Sequence, residues 1–162
     1  MESQIAWAAG LFDGEGCLVI RKPSKSCRAW VLQLNLSNTH RPALEQFIRI
    51  VDVGHLRFRT FKPKNQWRTV WTWQTASRKA EQVLRVLLPY LVIKRVEVEL
   101  ALELQAMPLI RHGQGWKRTL EEDTIREVFH LKLQRLKQYD YLPTISRSEV
   151  PLGSNHKSCK LV

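Results

Sequence analysis

The sequence predicts an α+β fold in which a four-stranded antiparallel sheet is backed on one face by helices. The first observation behind this prediction is the order of the periodic segments: one helix, two strands, one helix, two strands and then helices. The second is that the most regular strand is apolar on one face and polar on the other, as in antiparallel sheets with one open face. The third is size, because 162 residues with 44% hydrophobic side chains suffice for one core. We therefore expect a single domain over residues 1–142 and a flexible, Ser-rich tail over residues 143–162.

The first helix is expected to begin at Ser3, whose hydroxyl can cap it, and to end around Gly14 and Gly16. A strand follows over Cys17–Lys22, and a turn separates it from the next strand, Trp30–Ser37. That second strand alternates with period two, so its faces consist of Trp30, Leu32, Leu34 and Leu36 on one side and Val31, Gln33, Asn35 and Ser37 on the other.

The second helix–strand–strand unit begins with an amphipathic helix over Pro42–Val51. A strand opens after Gly54, a turn is expected over Lys62–Asn65, and a return strand covers Trp67–Thr75. In the opening strand, one face has Leu56 and Phe58 and the other has Arg57 and Arg59. The faces of the return strand consist of Trp67, Trp71 and Trp73 on one side and Arg68, Val70, Thr72 and Gln74 on the other. The pattern leaves open which of these faces is covered and favours the tryptophans on the core face.

Three helices complete the prediction. One covers Ser77–Leu88 and stops at Pro89, and the next covers Lys94–Met107 and stops at Pro108. The buried side of that next helix is expected to consist of Val96, Leu100, Leu104 and Met107. The last helix, Thr119–Gln138, has its apolar positions at Leu120, Ile125, Val128, Leu131 and Leu136.

The net charge is confined to one part of the chain. The sequence carries +11, and residues 16–80 alone hold 13 Lys or Arg against two acidic residues, while the remainder is balanced. The same segment contains four of the six tryptophans. A concentrated basic surface is typical of nucleic-acid-binding proteins, the alternative being a soluble face that is merely basic. The open face of the sheet would then carry Val31, Gln33, Asn35, Arg57 and Arg59.

Several classes of protein are disfavoured. No apolar run approaches the roughly 18 residues of a membrane-spanning helix, and the chain starts without the basic residues of a signal or transit peptide. The cysteines Cys17, Cys27 and Cys159 share no metal-binding spacing, and the five histidines are scattered, which argues against a disulfide framework and a zinc site. We expect an intracellular protein without a membrane or small-molecule partner.

The end of the first helix has two chemical peculiarities. Small residues recur four apart at Ala6, Gly10 and Gly14, which leaves one helix face where a second backbone can approach closely. Asp13 and Glu15 lie at the helix C-terminus, where the macrodipole disfavours negative charge. A divalent cation would compensate them, because Mg²⁺ prefers carboxylate and carbonyl oxygens. The alternative for Glu15 is an ordinary exposed turn residue.

The segment Ala-Ala-Gly-Leu-Phe-Asp-Gly-Glu-Gly, which ends at Gly16, resembles the LAGLIDADG motif of homing endonucleases. Asn38-Thr-His resembles the position where many members carry Gln, and Leu-Pro-Tyr-Leu-Val-Ile-Lys94 resembles the segment that ends in the family's active-site lysine. The resemblance covers roughly residues 5–107. It implies a saddle-shaped sheet in an αββαββα fold and a metal-dependent, site-specific DNA endonuclease.

The resemblance also implies roles for individual residues. Glu15 and the carbonyl of Gly14 would hold the catalytic Mg²⁺ (or Mn²⁺), although Glu replaces the commoner Asp. Asn38 would orient the attacking water with a shorter reach than Gln, and Lys94 would stabilise charge at the scissile phosphate. Asp13 would be chiefly structural. From the residues alone, Asn38 is equally well a helix-entry residue, and Lys94 a solvated charge.

One chain has one motif, whereas a double-strand break needs two metal sites, so the resemblance implies a homodimer on double-stranded DNA. The expected dimer interface consists of Ala6, Ala9, Gly10, Asp13 and Gly14. The expected DNA-binding residues are Arg21, Arg28, Gln33, Asn35, Arg57, Arg59, Lys62 and Arg68. Among them, Arg57 and Arg59 could address guanine, and Gln33 or Asn35 adenine. A near-palindromic target of about 16–20 base pairs would fit strands of this length.

Two other functional classes stay open. A protein of the same fold that has lost cleavage could act as an intron maturase binding RNA or as a DNA-binding regulator. A basic ribosomal or architectural protein would bind nucleic acid without metal, but it would not explain the acidic end of the first helix. A cleavage assay in Mg²⁺ separates these classes from an endonuclease.

Overall fold

The structure, a computed structural model, describes residues 2–22, 30–59, 69–107 and 120–138. The described elements follow the predicted order, with one short 3-10 helix added: α1 Glu2–Glu15, β1 Gly16–Arg21, β2 Val31–Asn38, α2 Arg41–Val51, β3 His55–Arg59, β4 Val70–Ala76, α3 Ser77–Leu87, the 3-10 helix Leu88–Tyr90, α4 Arg95–Ala106 and α5 Leu120–Gln138. The predicted α+β class is therefore confirmed. The expected tail, the turn at Lys62–Asn65 and Trp67 lie outside the described residues.

The four strands form one antiparallel sheet in the order β1-β2-β4-β3. The register pairs Leu36 with Gly16 on one side and with Trp73 on the other, and Trp73 in turn with Leu56. Because directly paired residues share a face, this row lies entirely on the helix-covered side. The two helix–strand–strand units therefore meet at the central β2–β4 pair.

The core lies between that side of the sheet and the helices. Its fully buried sheet residues are Leu18, Ile20, Leu32, Leu34, Leu36 and Trp73. Trp73 donates its indole N–H to the Val53 carbonyl at 2.8 Å. A Cβ at Gly54, whose φ is +95°, would lie 2.1 Å from the Trp73 Nε1, so this turn requires glycine. The predicted core-facing tryptophans are thus confirmed for Trp73, and Trp71 on the same side is half-buried.

The structure corrects the predicted buried face of α4 at one position. Val96 is 44% exposed, whereas the predicted Leu104 is buried and Leu100 and Met107 are partly buried against the core. The other buried residues of α4 are Glu97, Val98 and Ala101. In α5, the apolar Ile125, Val128 and Leu131 are exposed, and the buried residues are Arg126, Phe129 and Leu133. Both helices have apolar side chains on more than one face, so the periodicity did not single out the side that packs.

The ends of α1 also differ from the prediction. The helix includes Glu2, so Ser3 lies inside it rather than capping it, and Gly14 is still helical. At its start, Glu2 accepts a hydrogen bond from the Tyr90 hydroxyl at 3.2 Å. Burial, followed by this hydrogen bond and the Glu2 charge, raises the pKa of Tyr90 above its ordinary value. These contacts join α1 to the 3-10 helix.

Helix α5 covers the outer edge of the sheet at β1. The His130 Nδ1 lies 2.7 Å from the Ile20 carbonyl, and the Lys137 ammonium donates to the Leu18 carbonyl. Carbonyls along an edge strand would otherwise invite pairing with another chain, so α5 protects this edge. Among the described helices, none combines the length and apolar character that crossing a membrane requires.

Candidate active site and nucleic-acid interface

The predicted catalytic motif lies at a sharp helix-to-strand turn. Glu15 is the last residue of α1 and is exposed, and Gly16 begins β1 directly after it. A Cβ at Gly16 would lie 2.4 Å from the Phe12 carbonyl oxygen, so only glycine permits the turn without displacing backbone. Because Gly16 pairs with Leu36, the turn lies at the end of the sheet where β2 also ends, at Asn38.

Asp13 ties the end of α1 to the beginning of α4. Its carboxylate is buried and accepts backbone N–H groups from Val92 at 2.7 Å, Ile93 at 3.1 Å and Lys94 at 2.9 Å. These N–H groups compensate the charge that the α1 macrodipole disfavours. Asp13 therefore faces its own protomer and leaves the predicted dimer interface.

The Lys94 side chain returns the contact in the opposite direction. Its ammonium donates to the backbone carbonyl of Asp13, at the C-terminal end of α1. A cation there is favoured by the helix dipole and satisfies a carbonyl that the helix leaves unpaired. Lys94 is half-buried, and the Asp13 that it contacts lies two positions before Glu15 in α1. Lys94 is therefore not a solvated surface charge. Its contact with a phosphate stays a prediction.

Asn38 has a local role in the structure. Its Oδ1 accepts the backbone N–H of His40 at 2.8 Å, and the His40 Nδ1 accepts that of Ala43 at 3.3 Å, within the first turn of α2. This is the helix-entry role that the residue type alone allowed. The amide oxygen is thereby engaged, while the amide N–H groups remain for other contacts. The water-orienting role of Asn38 stays a prediction.

The small-residue face of α1 is open. Ala6, Gly10 and Gly14 are all exposed, and a Cβ at either glycine would meet no atom within 4 Å outside the helix itself. Ala9 does not belong to this face, because it is fully buried in the protomer's own core. Ala9 and Asp13 are therefore removed from the expected interface, which stays a prediction for Ala6, Gly10 and Gly14.

The oxygen donors at this helix end fit a magnesium ion in part. Glu15 is exposed, directly follows Gly14 in the chain, and has no hydrogen-bond or ion-pair partner among the described residues. Within the described part of the chain there is no group of three or more His, Cys, Asp or Glu side chains that could hold a metal. Mg²⁺ commonly binds through one or two carboxylates, waters and substrate phosphates, so a single acidic ligand per protomer is compatible with it.

The face of the sheet away from the helices is polar and partly basic. The predicted Val31, Gln33, Asn35, Arg57 and Arg59 lie on it, since they alternate with residues of the covered face. The register joins Asn35 to three residues that the sequence analysis did not assign to the interface, in one polar row across four neighbouring strands: Cys17, Asn35, Gln74 and His55. Strand pairing is the signal that finds such rows, and the sequence alone does not contain it.

Two sets of hydrogen bonds organise this open face. Arg21, Gln33 and Asn35 are joined in a chain, and the Ser37 and Thr72 hydroxyls lie 2.9 Å apart. Arg57 pairs with Thr72 across β3 and β4 and is exposed. The remaining predicted DNA-binding residues lie outside the described part of the chain: Arg28, Lys62 and Arg68.

Comparison with known proteins gives structural matches only. No protein-family model matches the sequence, and no curated protein sequence matches it. The homing endonuclease I-CvuI, in complex with its target in 2 mM Ca, is 19% identical with a TM-score of 0.64 over 86% of this chain and 85% of that chain. I-CvuI on the I-CreI target in 2 mM Mg, with the DNA not cleaved, is 20% identical with a TM-score of 0.64 over 87% of this chain and 86% of that chain.

Two further proteins match over most of the chain. The archaeal intron-encoded homing endonuclease I-Vdi141I, complexed with DNA, is 11% identical with a TM-score of 0.67 over 88% of this chain and 89% of that chain. The meganuclease I-SmaMI, bound to uncleaveable DNA, is 13% identical with a TM-score of 0.54 over 88% of this chain but 45% of that chain. At these identities the matches establish a shared fold.

Proposed function

We propose that this chain is a site-specific DNA endonuclease that cuts both strands. It has the fold of LAGLIDADG homing endonucleases, and its sequence resembles their motif. The observation that carries the proposal is the position of Glu15. An exposed carboxylate without a described partner ends α1 at the margin of a sheet whose open face is polar and basic. That arrangement supports the proposal, because an acid able to bind a metal would lie beside a surface suited to phosphates.

The structural neighbours support DNA as the substrate. I-CvuI and I-Vdi141I are both homing endonucleases in complex with DNA, and each matches more than four fifths of this chain. The confinement of the +11 charge to residues 16–80, whose described parts include the sheet and α2, supports the same substrate independently of the fold.

Glu15 and the Gly14 carbonyl are the groups that would hold a divalent cation. Such an ion supplies stabilisation of the charge that develops on the attacking and leaving oxygens of a phosphodiester. The Asp13 carboxylate fixes the helix end that presents Glu15, and the Lys94 ammonium adds positive charge at that end. Lys94 would exchange its Asp13 carbonyl contact for a phosphate oxygen when DNA is bound.

A homodimer would supply the second acidic ligand. Each chain contributes one Glu15, and the exposed face of Ala6, Gly10 and Gly14 lets two α1 helices approach closely. The match to I-SmaMI, which covers 45% of that longer chain, supports one copy of this chain as half of a two-unit assembly. Two Glu15 side chains would then lie near each other at the foot of the paired helices.

The strand length sets the size of the target. The 8 residues of β2 extend over about 26 Å, or about 8 base pairs. Two protomers related by a two-fold axis would read about 16–20 base pairs as a near-palindrome.

A second candidate is a protein of this fold that binds nucleic acid without cutting it. The observation that favours it is the engagement of the Asn38 oxygen with His40, which removes one acceptor from the residue expected to orient water. Splicing stimulation by the protein, without any DNA cleavage, would identify an intron maturase.

The experiment that tests the proposal begins with selection of cleaved sites from a randomised plasmid library in Mg²⁺. We expect one family of near-palindromic sequences, and a plasmid carrying that site should be linearised. Binding of a defined sequence without cleavage in Mg²⁺ or Mn²⁺ would favour the second candidate instead. A protein that neither cleaves DNA nor binds any DNA or RNA sequence specifically would overturn both.

A further inference from the structure

Three polar side chains on the open face form one continuous hydrogen-bond chain. The Arg21 Nε donates to the Gln33 Oε1 at 2.8 Å, and the Gln33 Nε2 donates to the Asn35 Oδ1 at 2.7 Å. Gln33 lies opposite Val19, so its contact with Arg21 runs diagonally across the β1–β2 pair, while Gln33 and Asn35 are two residues apart on β2. Glutamine is thus the central member.

The hydrogen-bond chain of Arg21, Gln33 and Asn35 determines which polar groups remain for a ligand. Both ends of the Gln33 amide are used inside the chain, one as acceptor and one as donor. Arg21 has its Nε–H committed, which leaves the two terminal amino groups of its guanidinium. Asn35 has its oxygen engaged, so its N–H groups are what it offers most readily.

The remaining groups are donors, and this favours acceptors on the base edge. The two terminal amino groups of one guanidinium can donate together to the O6 and N7 atoms of guanine, the commonest specific contact in the major groove. A glutamine reading adenine needs a free oxygen and a free amino group at once. Gln33 already uses one acceptor position and one donor position inside the hydrogen-bond chain, and these two bonds orient its amide toward Arg21 and Asn35.

We propose that Gln33 is a positioning residue that aims Arg21 at one guanine of the target, rather than a residue that reads a base itself. This inference rests on the proposed function, because it needs DNA on the open face. Arg21 is exposed, and an exposed arginine without a partner samples many rotamers. A hydrogen bond to Nε fixes the plane of the guanidinium before DNA arrives, as preorganised recognition requires.

The test is selection of bound DNA from a randomised library in Ca²⁺, compared among wild type, Arg21→Ala, Gln33→Met and Gln33→Glu. We expect wild type to prefer guanine at one position of each half-site by about 5- to 150-fold, the range of a bidentate arginine contact. Arg21→Ala should abolish that preference. Gln33→Met should reduce it several-fold at the same position and change no other position.

Gln33→Glu separates positioning from a general effect on the surface. Glutamate keeps an acceptor for the Arg21 Nε but cannot donate to Asn35, so the guanine preference should be retained although overall affinity falls from the added negative charge. Gln74→Met is the matched control, because Gln74 lies on the same face opposite Asn35 but does not belong to the hydrogen-bond chain. It should leave the guanine at the Arg21 position unchanged.

The double variant Arg21→Ala/Gln33→Met gives the sharpest result. If Gln33 acts through Arg21, the double variant should match Arg21→Ala in base preference, since the effects of two residues in one unit do not add. Effects of Gln33→Met at a different base position, or additive effects in the double variant, would overturn this inference and leave the proposed function standing. A wild type that selects no sequence would overturn both.

Discussion

At the scale of single residues, the end of α1 gives different roles to two carboxylates that are almost adjacent in sequence. Asp13 is buried, and three backbone N–H groups occupy its oxygens. Glu15 is exposed and has no partner among the described residues. One acid therefore holds the helix end in place, and the other is available for chemistry. The family resemblance predicted different roles for these two residues, and their contacts give the physical reason for the difference.

Glu15→Gln should abolish cleavage and preserve specific DNA binding. The substitution keeps the size of the side chain and removes the negative charge that a divalent cation needs. Cleavage of the selected plasmid and gel-shift affinity measure the two effects separately. Glu103→Gln, an exposed site on α4, serves as the control and should cut normally. Loss of binding in parallel with cleavage would instead make Glu15 a structural residue.

Asp13→Asn should destabilise the protein. The amide has one oxygen for three N–H donors and directs its own N–H groups at them. We therefore expect the free energy of unfolding to fall by about 1.5 to 3 kcal/mol. Urea unfolding measures this loss. The control is Asp52→Asn, because Asp52 is exposed in the left-handed region, at φ 52°, which asparagine also tolerates. Equal stability of the two variants would show that the Asp13 contacts contribute nothing.

At the scale of elements, the sequence predicted what short-range periodicity determines. The covered and open faces of β2 were predicted correctly because its apolar and polar residues alternate without a break. The helix α2 was predicted because its apolar residues fall on one side. The prediction for α4 was wrong at Val96 because apolar residues occur around this helix, and only packing against neighbouring elements selects a face. The polar row across the four strands required the register, which arises from pairing between distant segments.

Gly10→Leu should separate the protomers of the proposed dimer. The exposed face of α1 has room for leucine in a single protomer, because nothing lies within 4 Å of a Cβ at this position. In a closely packed helix pair the same side chain would overpack the interface from both sides, at a cost of typically 1–3 kcal/mol. Sedimentation equilibrium should show about twice the 19.0 kDa chain mass for wild type and a shift toward monomer for the variant.

Ala106→Leu provides the matched control for this experiment. Ala106 is also an exposed small residue on a helix, but it lies at the end of α4 rather than on the small-residue face of α1. Its substitution should not change the mass in solution. A wild type that stays monomeric both free and on DNA would exclude the proposed interface.

At the scale of the whole molecule, the position of the charge determines how binding should respond to salt. Because the +11 lies within residues 16–80, DNA affinity should fall steeply with ionic strength, with a logarithmic slope of about −0.9 for each phosphate neutralised. Titrations at several salt concentrations measure the slope. Arg57→Ala should also relax preference at one base if Arg57 contacts a base edge, whereas a uniform loss across sequences would assign it to phosphate. An affinity insensitive to salt would contradict an electrostatic interface.

Two copies of this chain, each with one Glu15, are proposed to cut both DNA strands together. The most direct measurement is the topology of a supercoiled plasmid bearing the selected site after digestion in Mg²⁺ by wild type, by Glu15→Gln and by mixed dimers of the two. Wild type should give linear plasmid, and the variant should leave the plasmid supercoiled. Mixed dimers should give nicked circles, because only one protomer of each pair keeps Glu15 and can cut its strand. Linear plasmid from mixed dimers, or nicked circles as the final product of wild type, would contradict the account.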